Sequence, residues 1–579
     1  MSDVNVVGPA GSNGSAGSAT PPNSPNGGGG STGGGATAYN NPSESGDPDN
    51  SGEATGGAGG NGGAGAVQGN LLGAGGAGAA GGYGRASGGV NDVYINGPTE
   101  ASATATGGAG GNGGAGASNG SSQAAGGDGG AGGNANAAAG EYDSNVGDGT
   151  SLATAVAIAG AGGSGGAGGG AGAAGGNATA AASVQNSLGS SQVAATAGGG
   201  AGGNGGTAGG DGGAGGNATA SGQVTAEVEA TATGGQGGSG GIGGAGGNAT
   251  AVIYVGAQVI ATATGGNGGA GSSGSGGNGG SANATADAST DLVGNAVADA
   301  YGGDGGSGIA GESGVGGAAT ADASATFDNS AIAKAVAGGS NTAGAEAIAN
   351  GTGEGSSGTV QTIAISAPQD LTSHPATLVG SIEAEANLTL SDDDVIPSAE
   401  SLAVYGGHLA TPPSNLCSVA EAIASPSSAA SSSILSANPV ISAAFGSSAK
   451  IIDLGELGAK HAGNSTTAQT STSSVIATIN LSTLASGGEL ELGLFSGAVT
   501  DAAGVSNVNL EITDVSNGQI LLDHNYTGSA ALSAFTDNLI GGHAYSAYGS
   551  VTVDISLSVT TIAAGASFSG DFILGAHLT

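Results

Sequence analysis

The chain has 579 residues, of which 132 are glycine, whereas aromatic residues make up 3% and charged residues 8%. This composition lacks the large side chains of an ordinary core, which argues against a globular enzyme along the whole length, and the glycine spacing argues against collagen. Forty-two acidic residues against four basic ones give a net charge of −38, which argues against nucleic acids and anionic membranes as partners.

Residues 1–50 are rich in Ser, Gly and Asn and contain six of the fourteen prolines, a composition that predicts a disordered lead-in. The opening MSDVNVVGPAGSNGSAG has no cationic region and no apolar core, so it does not match a Sec signal peptide. Cys417 is the single cysteine, which leaves no intrachain disulfide. The sequence has no apolar run of about 18 residues, so no transmembrane helix is predicted.

Residues 51–355 read as a glycine- and alanine-rich repeat region. Thr55–Ala66 and Thr106–Ala117 share the sequence TGGAGGNGGAGA. Each repeat combines a tract of Gly-Gly-X triplets with a stretch of alternating small and β-branched residues. Three tracts end in Asn-Ala-Thr at Asn177, Asn217 and Asn248, with a looser copy at Asn283.

The triplet tracts allow two interpretations. A polyglycine II helix has three residues per turn, so two glycine faces allow neighbouring backbones to approach and exchange hydrogen bonds. Flexible linkers are the alternative, because ordering glycine costs the most backbone entropy of any residue. The strict triplet phase favours ordered, polyglycine II-like tracts.

The stretches between the tracts predict short strands, as in NATAVIYVGAQVIATAT from Asn248 to Thr264. No single repeat buries enough surface, so the repeats must stack. Each Asn-x-Thr also matches a glycosylation site. The interpretation we favour is that Asn ends the glycine tract at a positive φ and that Ala-Thr begins the strand.

The GGAGGNGGAG runs between Thr55 and about Gly317 resemble the glycine-rich repeats of mycobacterial PE-PGRS surface proteins. The amino-terminal PE module of that family is missing here. The resemblance implies exposure at a cell surface, and it carries over no functional residue.

Residues 356–579 are more ordinary in composition and predict an antiparallel β-sandwich, which makes the whole chain all-β. Alternating Val508, Leu510 and Ile512, a turn at 516–518 and residues 520–522 predict a hairpin. Further strands are expected at 474–482, 489–495 and 551–559 and around Phe568–Leu574. One short helix is expected over Leu532, Phe535 and Leu539.

The run DNLIGGHAYSAYGSVTVDISLSV resembles the closing sandwich domain of bacterial exported proteins with PEP-CTERM tails. The tail itself is absent, since no Pro-Glu-Pro, terminal membrane helix or basic cluster is found. A sorting role is therefore not inferred from this resemblance.

No motif supports a catalytic, cofactor-binding or metal-binding residue, and none is assigned. Gly-x-Ser-x-Gly occurs at 162–166 and 237–241 without the strand-turn-helix context of a nucleophile elbow. The Asp392–Asp394 run allows weak Ca²⁺ binding but fits a solvated loop better. Asp523 and His524 are neighbours in a predicted strand, so their side chains are expected on opposite faces, at the surface.

Three functions remain. The favoured one is a non-enzymatic structural or surface protein of a bacterium, in a matrix, a biofilm or an adhesive layer, with contacts to itself or to the cell surface. It would leave the cell without a Sec signal, with a type I secretion signal in the final SFSGDFILGAHLT. The alternatives are ice binding through the Thr-x-Thr pairs Thr104/Thr106, Thr231/Thr233 and Thr262/Thr264, and an enzyme of unknown type in the C-terminal domain.

Overall fold

The computed structural model describes the chain except for residues 1, 41–48, 93–98, 144–149, 187–190, 225, 289–294, 310–312, 326–329, 339–345, 354–358, 367–382, 391–397, 406–417, 425–427, 446–449, 461–468, 481–487, 515–517, 546–549, 564–565 and 579. The residues divide into two compact bodies. The N-terminal body comprises Met1–Asp287, Asp299–Ala319 and Ala337–Thr342, and the C-terminal body comprises Ala288–Ala298, Thr320–Val336 and Ala343–Thr579.

Strands account for the regular structure up to residue 337. They are β1 Ser2–Val7, β2 Ala36–Asn40, β3 Asp49–Thr55, β4 Val67–Gln68, β5 Leu71–Leu72, β6 Gly84–Asp92, β7 Thr99–Thr106, β8 Ala135–Asp143, β9 Ser151–Ile158, β10 Ala178–Asn186, β11 Ser191–Gly198, β12 Ala218–Gln223, β13 Glu227–Thr233, β14 Ala249–Ile253, β15 Gln258–Thr264, β16 Ala282–Ala288, β17 Asn295–Tyr301, β18 Ala319–Ala325 and β19 Ser330–Ala337.

Two parallel sheets organise the N-terminal body. Sheet A contains β1-β3-β7-β9-β11-β13-β15 and sheet B contains β2-β6-β8-β10-β12-β14-β16. Every second residue is buried, and most of these residues are alanine. β6 packs against β3 and β7, so closely that a Cβ on Gly88 would lie less than 3.0 Å from the carbonyl oxygen of Ser102. Alanine and glycine therefore suit the space between the sheets.

Two regions differ from the sequence-based expectation. The segment interpreted as a disordered lead-in contributes β1, which pairs with β3, and β2, which pairs with β6. Its composition is poor in apolar residues, but backbone pairing orders it without a large side-chain core. The stretch from Asn248 to Thr264 is not one strand, because it turns after Ile253 and places β14 in sheet B and β15 in sheet A.

The C-terminal body adds three helices and longer strands. The elements are β20 Glu346–Gly353, β21 Thr359–Ser366, β22 Glu383–Leu390, β23 Ser398–Tyr405, β24 Ser418–Ala424, α1 Ser428–Ala437, α2 Pro439–Phe445, β25 Lys450–Lys460, β26 Gln469–Asn480, β27 Gly488–Thr500, β28 Val505–Asp514, β29 Gln519–Tyr526, α3 Gly528–Ala534, β30 Asn538–Tyr545, β31 Ser550–Thr561 and β32 Ser567–Leu578.

The chain is mostly β, as expected, but the predicted antiparallel sandwich over 356–579 is wrong. Parallel pairs join β20 to β22, β21 to β23 and β22 to β26. Antiparallel pairing begins at β23–β24 and continues through β32. The sheets of this body are therefore mixed, because parallel strands continue past the change in glycine content near residue 355.

Several local predictions in this body are confirmed. β28 pairs with β29 as the expected hairpin, and Gly518 has a φ of 70° beside the tip, although residues 515–517 lie outside the described part. The expected short helix is found only in part: α3 contains Leu532 but ends at Ala534, so Phe535 is its C-cap and Leu539 lies in β30. Helices α1 and α2 are not predicted from the sequence, because their many small residues give little helical periodicity.

Large side chains form the core of the C-terminal body. Ile441 and Phe445 of α2 pack with Phe495 and Ile573. The rings of Phe535 and Phe568 meet edge to face, with centroids 5.3 Å apart. Burial of aromatic and branched apolar groups of this size is a strong source of stability.

Candidate functional site

The glycine tracts of the N-terminal body hydrogen-bond to one another with a three-residue period. We call the tract that leaves a sheet A strand the outward tract and the tract that enters a sheet B strand the return tract. In the outward tract 107–117, the first residue of each triplet donates its N–H to the next outward tract, and the second donates to the preceding return tract. The bonds made by Gly107, Gly110, Gly113, Gly108, Gly111 and Gly114 are all 2.8 Å long.

This pattern shows why two positions of each triplet are glycine. A Cβ on Gly111 would lie less than 3.0 Å from the carbonyl oxygen of Gly60, and one on Gly110 would lie equally close to that of Gly130. The third position, as at Ala109 and Asn112, is exposed. Backbone hydrogen bonds therefore hold the tracts together, with the three-residue period of polyglycine II.

Some triplets carry alanine at the second position, among them Ala79 and Ala173 in return tracts and Ala66 and Ala117 at the ends of outward tracts. Ala79 and Ala173 still donate N–H bonds, to Gly60 and Gly163 at 2.9 and 3.0 Å. Both are only half-buried, whereas Gly111 at the same position of its triplet is buried. A methyl group is accommodated there by a looser fit.

Asparagine side chains form ladders along the exposed edge of the tracts. The Oδ1 of Asn177 accepts the backbone N–H of Asn217, and the Oδ1 of Asn217 accepts that of Asn248, both at 2.8 Å. The ladder begins at Asn134, whose Oδ1 accepts the backbone N–H of Asn177. It ends at Ser281, whose backbone N–H donates to the Oδ1 of Asn248. Each rung satisfies an N–H that faces away from the glycine lattice.

This result corrects the reason given for the Asn-Ala-Thr motif. Asn177, Asn217 and Asn248 do immediately precede β10, β12 and β14, as expected. They are not among the residues with positive φ, so the side-chain ladder, and not a left-handed backbone, accounts for asparagine there. The looser copy Asn283 lies inside β16, and Ser281 takes the rung position instead.

The Thr-x-Thr pairs lie on the outward face of sheet A. Thr231 pairs in register with Thr262, and Thr233 pairs with Thr264. Thr196 of β11 pairs with Thr231 and so extends the row formed by Thr231 and Thr262 to a third strand. Farther along, Val156 and Ile158 stand beside Thr104 and Thr106. Both threonine rows are thus continuous over β13 and β15, with partial extension to β11, and a further pair joins Thr55 of β3 to Thr106 of β7.

The two Gly-x-Ser-x-Gly matches belong to the glycine lattice. Ser164 and Ser239 occupy third positions of their triplets, where Ser164 is half-buried and Ser239 is exposed. Their N–H groups donate to the side-chain oxygens of Asn112 and Asn204. Neither serine follows a strand and opens a helix. The motif arises from triplet composition, and the serine side chains stand on the tract surface.

Asp523 and His524 are both exposed on β29. The carboxylate of Asp523 accepts a 2.7 Å hydrogen bond from Asn509, and the His524 ring lies 5.9 Å from that of Tyr526. Burial raises the pKa of the Tyr526 hydroxyl above its ordinary value. Asp392–Asp394 and Cys417 lie outside the described residues.

The described part of the chain contains no group of three His, Cys, Asp or Glu side chains arranged to hold a metal ion. Within the same residues, no helix is long and apolar enough to cross a membrane.

Comparison with known proteins yields little similarity. No family model matches the chain, and no curated protein matches it. Among solved structures, the enzymatically active domain of bacteriophage CBA120 tailspike protein 4 aligns at 10% identity with a TM-score of 0.11. The alignment covers 76% of this chain and 53% of that one, so the chain spans about half of the tailspike domain. A TM-score this low carries no argument about fold or function.

Proposed function

We propose that the protein is a non-enzymatic structural component of a bacterial exterior, in a matrix, a biofilm or an adhesive layer. The observation that carries this proposal is the glycine lattice, in which backbone hydrogen bonds recur every third residue and side chains stand outside. Such a region offers a large display surface and little space for a buried reaction centre. Polyglycine II-like tracts alternating with short strands are the architecture we propose for it.

The lattice suits a spacer exposed outside the cell. Peptide bonds held on both sides by neighbouring tracts are poor substrates for proteases, which need a locally unfolded strand. The net charge of −38 keeps such chains soluble and apart, and it attracts divalent cations weakly. The resemblance of the triplets to PGRS repeats agrees with a surface role.

Location provides the direct test. We expect antibody against the N-terminal body to label intact cells or the medium, and protease added outside to remove the label. Cytoplasmic confinement of the full chain, shown by fractionation with a cytosolic marker, would contradict the proposal.

Export through a C-terminal type I signal is the route we propose. The final segment forms β32, which lies between β25 and β27 and buries Phe568, Phe572 and Leu574. Deleting residues 537–579 removes β30–β32 and with them the partners of β25–β28. Retention of that truncated chain would therefore not distinguish a lost signal from misfolding.

Fusion of residues 537–579 to a passenger avoids this ambiguity. We expect the passenger to reach the medium in cells that carry a type I system and to stay inside when the transporter is deleted. A passenger that remains in the cytoplasm of transporter-positive cells rules this route out.

Ice binding is a second candidate, favoured by the register of Thr231 with Thr262 and of Thr233 with Thr264 on a parallel sheet. The full chain should then show thermal hysteresis, and Thr231→Tyr should abolish it. Thr219→Tyr, on the exposed face of sheet B, is the matched control. Absence of hysteresis in the full chain removes this candidate.

A further inference from the structure

The outward face of sheet B contains a trough of about 590 Å³. It crosses β6, β8, β10 and β12, whose outward residues are in register across neighbouring strands. Gly89 aligns with Gly140, and Gly140 with Ser183. The trough therefore runs across the strands, along the direction in which the repeats stack.

Exposed tyrosines stand at both ends of this face. Tyr254, which follows β14 and lines the trough, is 63% exposed. Tyr39 on β2 is 57% exposed and pairs with Ser87, another lining residue. Five strand spacings of about 4.8 Å separate β2 from β14, so these two strands lie about 24 Å apart across the sheet.

One charged residue, Glu141, is part of the lining but is only 3% exposed. The other polar side chains that line the trough carry no charge. Gln185 and Gln223 supply amides that donate and accept hydrogen bonds, and Ser183 and Ser221 supply hydroxyls. An exposed phenol ring adds a flat apolar surface with a polar tip. A concave surface with convergent neutral polar groups and aromatic ends is suited to a polyol.

Charge separates this face from the opposite one. The outward face of sheet A carries six carboxylates, on Asp3, Asp49, Glu53, Glu100, Glu227 and Glu229. Among the described outward residues of sheet B from β2 to β14 there is no acidic side chain, although the chain has 42 Asp and Glu residues. Arg85, one of four basic residues, lies on this face with its Cζ 5.7 Å from the Tyr39 ring centroid.

One glycine in the trough has no explanation in the packing of the chain. A Cβ on Gly140 would meet nothing closer than Ser183 Oγ at 3.8 Å, and Gly140 is not among the glycines with positive φ. Strand glycines that face the other sheet, such as Gly88, are crowded instead. Glycine inside a strand weakens it and often marks the close approach of a ligand.

We propose that this trough binds an uncharged linear oligosaccharide, laid across β6–β12 with sugar rings stacked on Tyr254 and Tyr39. The proposal rests on the proposed surface role and gives it an adhesive target. A peptide is disfavoured, because extended peptides add to a sheet at its edge and this trough lies on its face.

The full chain is tested for binding to immobilised malto-, cello-, chito- and mannohexaose, with hexagalacturonate as the acidic comparison. We expect at least one neutral hexamer to bind. Tyr254→Ala should then weaken binding at least tenfold and Gly140→Val should abolish it. Tyr83→Ala removes another exposed tyrosine, and Gly198→Val fills an equally open strand glycine on sheet A; both should bind like the wild type.

Thermal unfolding of each variant shows whether it folds. If Gly140→Val does not fold, the binding of Tyr254→Ala decides the result. Failure of every neutral hexamer to bind, binding of hexagalacturonate alone, or unchanged binding by Tyr254→Ala would overturn the proposal. None of these results changes where the chain is found in cell fractions. The proposed surface location therefore stands or fails separately.

Discussion

The two bodies of this protein are stabilised by different means. In the N-terminal body, glycine and alanine bring backbones and sheets so close that hydrogen bonds between tracts replace most side-chain burial. In the C-terminal body, large side chains such as Phe535 and Ile441 fill a conventional core. The comparison teaches that absence of large apolar residues does not imply disorder when glycine recurs with a structural period.

This contrast predicts opposite sensitivities to substitution. A change from a large to a small side chain should be most costly in the C-terminal body, where it leaves a cavity. A change from a small to a large side chain should be most costly in the N-terminal body, where no space exists. Phe535→Ala and Gly111→Val test these sensitivities to side-chain size. Asp537→Ala and Asn217→Ala then remove one hydrogen-bonding side chain from each body, and the four follow in order of decreasing effect.

Phe535→Ala should lower the free energy of unfolding of the C-terminal body by about 4 kcal/mol. The ring is 1% exposed and lies against Phe568, so its removal leaves a cavity and breaks an aromatic pair. Denaturant unfolding followed by near-ultraviolet circular dichroism measures the loss. Val440→Ala, at a site 54% exposed, is the control. A cost below about 1 kcal/mol would contradict the assignment of Phe535 to the core.

Gly111→Val should cost the N-terminal body about 3 kcal/mol. A Cβ there would collide with the backbone of Gly60, and backbone atoms held in hydrogen bonds cannot move aside cheaply. Ala109→Val adds bulk two residues away at an exposed position and should change stability little. Equal melting temperatures for the two variants would mean that the tracts are not packed as described.

Asp537→Ala should cost the C-terminal body about 2 kcal/mol. Both carboxylate oxygens accept backbone N–H groups at the start of α2, from Val440 at 2.9 Å and Ile441 at 3.0 Å. Asp537 itself has a φ of 149°, a conformation that non-glycine residues rarely adopt. Asp537→Asn retains one acceptor and should recover part of the loss. Identical unfolding of Asp537→Ala and wild type would show that the contact contributes nothing.

The sequence predicted the strands of this protein better than their arrangement. Alternation at Val551–Val559 and the hairpin turn predict β31 and β28–β29, because local pattern determines which residues form a strand. Parallel pairing of β20 with β22 depends on where residues far apart in the chain meet, and no local pattern carries that information. The antiparallel sandwich was expected from strands with tight turns and one short helix, and these local features do not determine which distant strands pair.

The candidate site was recognisable only in part. Triplet spacing gave the period of the glycine lattice, and the Asn-Ala-Thr motif gave the tract ends. The asparagine ladder links residues 31 to 43 positions apart, and the trough at Gly140 depends on the register of several strands. The recurrence of Asn immediately before each Ala-Thr stretch was the signal that could have indicated a ladder.

Asn217→Ala is the mildest test of the comparison, because it removes a side-chain contribution from the body that depends least on side chains. The substitution deletes the acceptor for the N–H of Asn248 and leaves the N–H of residue 217 bonded to Asn177. One exposed rung contributes about 1 kcal/mol, so exchange of the Asn248 amide should accelerate about fivefold while global stability changes little. Asn136→Ala, on the exposed face of β8, is the control and should leave that amide unchanged. The glycine amides within Gly234–Gly247, bonded to tracts on both sides, should remain protected in both variants, because their partners are backbone carbonyls. If instead those glycine amides exchange at the rate of a free peptide in the wild type, the lattice does not hold in solution and the contrast between the two bodies is lost.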